Sequence, residues 1–238
     1  MRTQNRNPQF DLQIIENPRN LSDCQKEQML TQMMEVTKKA WGDPKSLLNQ
    51  WIGLADILAI AYQGGIKGFA VGKKIRNNLY LFPATIVHPD SQQKGLGVFM
   101  NINILSRMVD KDIIGKLKYF YIVFRTPNPI FYHAISKVID VVPAIDGRAA
   151  SLEETSIAKE IANIFSPECK FDVGNFIIEG ALKPFPDLIY TEKNIPWARS
   201  EKVNRFFSEK MRLPNGNGNE LVIVGKIPME WVNLYLSR

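Results

Sequence analysis

Hydrophobic and polar positions alternate along the first half of the chain in a way that predicts one strand, one helix and then three strands in succession. Phe10 to Glu16 reads as a short opening strand, and Ser22-Asp23-Cys24-Gln25 is a capping box that starts a helix. Leu30, Met33, Met34 and Trp41 recur in that helix at helical spacing, a stripe of the kind that packs a core. Asp56 to Tyr62 and Ile66 to Ile75 flank Gln63-Gly64-Gly65, which suits a hairpin, and Arg76-Asn77-Asn78 turns into a third strand ending at Val87. A second helix follows, with Val98, Ile102, Leu105 and Val109 as its apolar face and Asp110-Lys111-Asp112 near its end. Lys118 to Arg125 is the next strand, and another helix is expected from about Pro129.

The second half is less regular. Ser151-Leu152-Glu153-Glu154 is another capping box, opening a helix that runs through Phe165 and stops before Pro167. A strand-like run near Phe176 to Leu182 leads into a Pro-rich stretch from Lys183 to Trp197, then a helix over Ser200 to Met211. The loop Pro214-Asn215-Gly216-Asn217-Gly218-Asn219 precedes a strand from Glu220 to Lys226, and Pro228 is placed to open a last short helix. Helices and strands mixed in this order indicate an α/β (α+β) fold with a mixed, mostly antiparallel central sheet flanked by helices.

Composition narrows the functional classes. At 238 residues and 45% hydrophobic content, the chain suits one large domain or a core domain with an appendage. The longest apolar run, Trp51 to Tyr62, is interrupted by Asp56 and falls short of the ~20 residues that cross a bilayer, so no membrane partner is expected. Met1 to Gln9 is polar and lacks an apolar signal core, and the expectation is a cytoplasmic protein. Cys24 and Cys169 stand far apart, and His88 and His133 have no carboxylate neighbours, so neither a disulfide framework nor a metal site is expected. A formal net charge of +6 suits an anionic partner, but Lys and Arg occur in pairs such as Lys38-Lys39 and Lys73-Lys74 and never in blocks. That scatter favours a solvated surface over a nucleic-acid face.

The chemistry-bearing motif is Gln92-Gln93-Lys94-Gly95-Leu96-Gly97, between the strand ending at Val87 and the helix that follows. Glycines there admit φ > 0 and close approach of a ligand to the main chain, and a helix start offers unpaired N–H groups and a positive dipole end. The combination suits a diphosphate; the same Gly-x-Gly also serves as a structural corner that lets helix and sheet pack tightly. No Gly-x-x-x-x-Gly-Lys-Ser/Thr occurs, and Gly97 is followed by Val98-Phe99-Met100 with no third glycine, so neither a P-loop nor a dinucleotide fingerprint is present.

Read together with Leu79-Tyr80-Leu81-Phe82-Pro83-Ala84-Thr85-Ile86-Val87-His88-Pro89, the Val-x-Pro followed by Gln-x-x-Gly-x-Gly resembles the acyl-CoA loop of the GCN5-related N-acetyltransferases (GNAT). The likeness spans residues 10–146, implying an acyl-CoA-binding core there and a C-terminal extension over 147–238 that helps complete the same sheet; the two strands that close the sheet are drawn from Val138 to Ala144, Phe176 to Leu182 or Leu221 to Val224. It implies that main-chain groups of Thr85, Ile86 and Val87 meet the pantetheine arm and that Gln92, Gln93, Lys94, Gly95, Leu96, Gly97 and Val98 wrap the pyrophosphate. It also implies acetyl-CoA as acyl donor, no metal, a small-molecule or peptide amine as acceptor, and transfer by direct attack in a ternary complex, with a homodimer left open.

Two departures matter. Where the family often carries an acidic residue or His on the strand before the loop, this chain has Leu81 and Pro83, neither of which accepts a proton. Tyr132 stands about one helical turn earlier than the family's usual tyrosine; it either protonates the leaving thiolate or simply packs. Asn128 caps its helix, hydrogen-bonds the pantetheine, or does both. His88 occupies a position read as structural. The rivals to an N-acyltransferase are a catalytically inactive acyl-CoA-binding module and, less well supported, a basic nucleic-acid-binding protein.

Overall fold

The computed structural model describes residues 9–42, 45–92, 94–110, 116–145 and 147–230, so Gln93 lies outside the described residues. The chain divides into two compact units, Met1–Phe120 with Pro228–Arg238, and Tyr121–Ile227. The boundary read from the sequence at 146/147 falls inside the second unit. Each unit is α/β, with mostly antiparallel strands flanked by helices.

In the first unit, β1 (Asp11–Glu16), β2 (Ile57–Tyr62), β3 (Ile66–Arg76) and β4 (Leu79–Val87) pair antiparallel in that order, with Ile14 opposite Ala59, Ala59 opposite Ala70, and Ala70 opposite Thr85. The β2–β3 hairpin closes at Gln63-Gly64-Gly65, where Gly64 has φ 61° and the Gln63 N–H donates to the Gly65 carbonyl at 2.9 Å. β2 from Ile57 to Ala61 and the start of β4 are buried without alternation, the pattern of strands covered on both faces.

α1 (Asp23–Ala40) begins with the expected capping box: the Gln25 N–H donates to Ser22 Oγ, and the Ser22 N–H donates to Gln25 Oε1 at 3.0 Å. Its buried positions are Met29, Met33, Val36 and Thr37, while Leu30 and Met34 are half-buried, so the core stripe is rotated from the one expected. α2 (Lys45–Leu54) was not expected; Leu47, Leu48, Trp51 and Ile52 form its buried side, and their closeness in sequence reads as a plain apolar run.

α3 (Leu96–Met108) corrects a second expectation. Its buried residues are Leu96, Met100, Ile104 and Met108, whereas Val98 is 49% exposed and Ile102 and Leu105 are half-buried; of the expected face only Val109, the C-cap, is buried. The cause lies in β3, on which α3 packs. A β carbon at Gly72 would stand 2.2 Å from Ile104 Cγ2 and 3.0 Å from Met108 Cε, and one at Gly68 would stand 3.2 Å from Met100 Cε. The two glycines, four apart and so on one face of the strand, leave a trough that receives the 100/104/108 ridge.

The second unit contains most of β5 (Tyr119–Thr126), α4 (Pro129–Ile135), β6 (Asp140–Val142), α5 (Leu152–Phe165), the two-residue strands β7 (Phe171–Asp172) and β8 (Ile177–Ile178), α6 (Glu201–Glu209) and β9 (Glu220–Pro228). Its strand order is β5-β9-β8-β7. β6 and β8 lie end to end along β9, with Val142 opposite Val224 and Ile177 opposite Leu221, so each of the three candidate segments holds a strand. Pro228 is the last residue of β9, Met229 and Glu230 are helical, and the rest of the helix expected there lies outside the described residues.

α5 starts at its own capping box, which is part of an ionic cluster. Glu154, 1% exposed, accepts from the Ser151 N–H at 2.8 Å and from both terminal nitrogens of Arg148 at 3.0 and 3.1 Å, while Arg148 Nε meets Asp140 at 3.0 Å. Burial opposes ionisation of Glu154, but the bonds from Arg148 and Ser151 outweigh it and hold the carboxyl below its usual range. A depressed folded pKa contributes stability that is complete above the unfolded value of ~4.3 and disappears as pH falls through the folded value. Urea midpoints measured from pH 6 down to pH 3 are therefore expected to fall, and Glu154→Gln is expected to flatten part of that fall. Parallel profiles for the two proteins would remove Glu154 from the acid response.

Candidate functional site

In the first unit, β4 ends in a short turn organised by His88. The His88 N–H donates to the Lys67 carbonyl at 2.8 Å, and its Nδ1 accepts from the Asp90 N–H at 3.2 Å, capping a 3-10 turn at Pro89–Ser91. The imidazole thus has a structural task. Gln92 then folds back, its side-chain amide donating to the Val87 carbonyl at 3.2 Å.

Gly95 is the N-cap of α3, at φ 73° and ψ 6°, a left-handed conformation that favours glycine, and no side chain caps the helix. The Phe99 N–H donates to the Gly95 carbonyl at 3.0 Å, so the amides of Leu96, Gly97 and Val98 precede the first intrahelical bond. Gly95 and Lys94 are exposed, and nothing lies within 4 Å of a β carbon built at Gly95. Thirteen residues of aligned peptide dipoles stand behind those amides, which makes the helix start a place for negative charge.

Gly97 has a second duty. A β carbon there would stand 3.2 Å from Thr85 Cγ2 and 3.7 Å from Val87 Cγ2, so the first turn of α3 lies close over β4. The Thr85 hydroxyl donates to Asn101 Oδ1 at 3.0 Å and ties the strand to the helix. Thr85, Ile86 and Val87 are half-buried, whereas Leu81 and Pro83 are buried and leave no titrating group on that stretch of β4.

In the second unit, Asn128 caps α4: its Oδ1 accepts from the Ile130 N–H at 2.9 Å and the Phe131 N–H at 3.2 Å. Tyr132, 2% exposed, packs edge-on to Phe207 with centroids 6.0 Å apart. Its hydroxyl donates to the Pro143 carbonyl at 2.7 Å and accepts from the Ile145 N–H at 3.2 Å. Of the two readings of Tyr132, packing accounts for this geometry, and the hydroxyl hydrogen needed by an acid is already directed at Pro143. Tyr132→Phe leaves a buried carbonyl and amide without that partner, and an unfolding free energy lower by about 1–3 kcal/mol is expected in urea titrations. An unchanged midpoint would dismiss the clamp.

A tyrosine that the sequence reading did not single out lies beside this cap. Tyr190 is half-buried; burial pushes its phenol up to about 12, and the nearby Asn128 side chain opposes that shift. Tyr190 sits in the Pro-rich stretch, where no periodicity marks one residue above another.

No protein-family model and no curated protein matches the chain. Matching solved structures include a GNAT family acetyltransferase from Elizabethkingia anophelis with acetyl-CoA bound, at 13% identity over 92% of this chain and 99% of that one, with a TM-score of 0.43. Tetrahymena GCN5 is similar at 11% identity, 60% and 84% coverage and a TM-score of 0.41. The ribosomal-protein-S18-alanine N-acetyltransferase from Escherichia coli is similar at 11% identity, 92% and 95% coverage and a TM-score of 0.39. Likenesses this slight carry no argument about chemistry, which rests on the residues of the chain itself.

Proposed function

We propose that the chain is an acyl-CoA-dependent N-acyltransferase that transfers acetyl from acetyl-CoA to an amine by direct attack in a ternary complex. The observation that carries this reading is the start of α3: a left-handed glycine cap without a side-chain acceptor, followed by three amides ahead of the first helical bond. Gln92 to Val98 wrap the diphosphate, with Leu96, Gly97 and Val98 donating from the main chain and Lys94 adding positive charge. Main-chain groups of Thr85, Ile86 and Val87 serve the pantetheine arm. Asn128, whose Oδ1 is taken by the α4 cap, has only its amide N–H groups to offer a ligand. Tyr132 is assigned to holding the 143–145 segment.

Direct attack forms the N–C bond on the thioester carbonyl, breaks the C–S bond and releases CoA as a thiol. No covalent intermediate on the protein is required. The amine must shed a proton, and deprotonating a lysine-like amine of pKa ~10.4 at pH 7 costs about 4–5 kcal/mol. Because Leu81 and Pro83 cannot help, acceptors of lower pKa are favoured; an α-amino group near pKa 8 costs only about 1 kcal/mol.

The test is thiol release from acetyl-CoA with peptides, polyamines, aminoglycosides and arylamines. Release above the hydrolytic background with one class is expected, peptides bearing a free α-amino group foremost. The buried Leu81 and Pro83 favour a second reading, an acyl-CoA-binding module without turnover; stoichiometric acetyl-CoA binding with no release across the panel would establish it.

A further inference from the structure

The turn that follows β4 is held by its main chain and closed a second time by a side chain. The His88 N–H donates to the Lys67 carbonyl at 2.8 Å, the Ser91 N–H to the His88 carbonyl at 2.8 Å, and the Gln92 N–H to the Pro89 carbonyl at 3.2 Å. Together with the Asp90 N–H on His88 Nδ1, these bonds fix residues 88–92 without help from the Gln92 side chain. That side chain reaches back five positions instead, where its Nε2 donates to the Val87 carbonyl at 3.2 Å.

The register of β4 shows what kind of acceptor this carbonyl is. Residues along an antiparallel strand alternate between pointing their main-chain groups at the neighbouring strand and pointing them away from it. His88 points at β3, through its bond to Lys67, so Val87, opposite Gly68, turns its carbonyl toward the other edge of β4. An outward-facing carbonyl on a strand edge is the acceptor that an extended, amide-containing ligand uses when it lies along the strand. The Gln92 amide meets that acceptor with an N–H of the same chemical type. Gln92 is exposed and Val87 half-buried, so water competes for the bond and its net worth is small. Breaking it releases one side chain and leaves the main-chain turn as it is.

We propose that Gln92 is a specificity-determining residue of the acyl-CoA site: its side-chain amide and an amide N–H of the pantetheine arm are alternative donors to the Val87 carbonyl, so a ligand carrying that amide displaces Gln92 and a ligand carrying phosphates alone does not. The identity of the ligand rests on the acyl-transfer reading above; the direction of the Val87 carbonyl and its bond to Gln92 do not.

Gln92→Ala removes the donor, and Gln92→Met removes it while keeping a long side chain. Calorimetric titration with CoA is expected to show binding about five-fold tighter in both variants than in wild type, because the ligand no longer has an internal donor to displace. ADP carries a diphosphate and no amide, and it is expected to bind wild type and both variants alike, including no detectable binding to any of them. Unchanged CoA affinity in the variants overturns the proposal, because the carbonyl then accepts from both donors at once, and weaker CoA binding overturns it because Gln92 then contacts the ligand itself. A gain in one variant only reports side-chain bulk, and a gain that ADP shares reports the diphosphate; each also overturns the proposal. All four results leave the acyl-transfer reading intact, whereas a wild-type protein that binds no CoA overturns both.

Discussion

Gly97→Glu is expected to remove CoA binding from a protein that still folds. The β carbon of any residue at position 97 faces Thr85 Cγ2 at 3.2 Å, a contact that a shift of a few tenths of an ångström relieves. The carboxylate is the larger disturbance. Like charges about 4 Å apart near a protein surface repel by about 4 kcal/mol, and even after salt screening a loss on the order of a hundred-fold in affinity remains. Gly97→Ala separates the two effects, because it adds the β carbon without the charge. Calorimetry should return binding within about ten-fold of wild type for alanine and no detectable heat for glutamate. Equal affinities for wild type and Gly97→Glu would take the loop out of the site.

Gly72→Ala is expected to damage the same site from beneath. Alanine is the better residue in a strand interior on backbone grounds, so the substitution should be mildly favourable if packing played no part. Instead its β carbon would stand 2.2 Å from Ile104 Cγ2, a branch fixed close to the helix backbone and not the free end of a flexible chain. α3 must lift or tilt. Overpacking of this kind costs about 1–3 kcal/mol, and a urea midpoint lowered accordingly is the first readout. The second is weaker acetyl-CoA binding, since the amides of Leu96, Gly97 and Val98 ride on the helix that moves. Full stability in Gly72→Ala would show that the 100/104/108 ridge does not depend on the trough in β3.

Gly68 and Gly72 also explain where sequence reading reached and where it stopped. Local signals were legible: the capping boxes at Ser22 and Ser151, the Gln63-Gly64-Gly65 hairpin, and the strand–glycine–helix order around Gly95 are each decided by residues within a few positions of one another. The buried face of α3 was not. Leu96/Met100/Ile104/Met108 and Val98/Ile102/Leu105/Val109 are both apolar series at helical spacing, and the tie is broken by Gly68 and Gly72 on another strand. α2 was missed because its buried residues fall in adjacent pairs, Leu47-Leu48 and Trp51-Ile52. Tyr132 was singled out for its place after β5, yet its hydroxyl bonds the backbone of Pro143 and Ile145, which no motif announces. Tyr190 was passed over because only the folded chain brings it to Asn128.

The role given to the start of α3 rests on three amides ahead of the first helical bond and an exposed left-handed glycine, and CoA itself is the direct probe of it. A crystal structure of the protein with CoA should show phosphate oxygens about 2.7–3.2 Å from the amide nitrogens of Leu96, Gly97 and Val98. A bound CoA whose diphosphate lies away from these amides, or crystals soaked in excess CoA with the bend empty, would contradict the account.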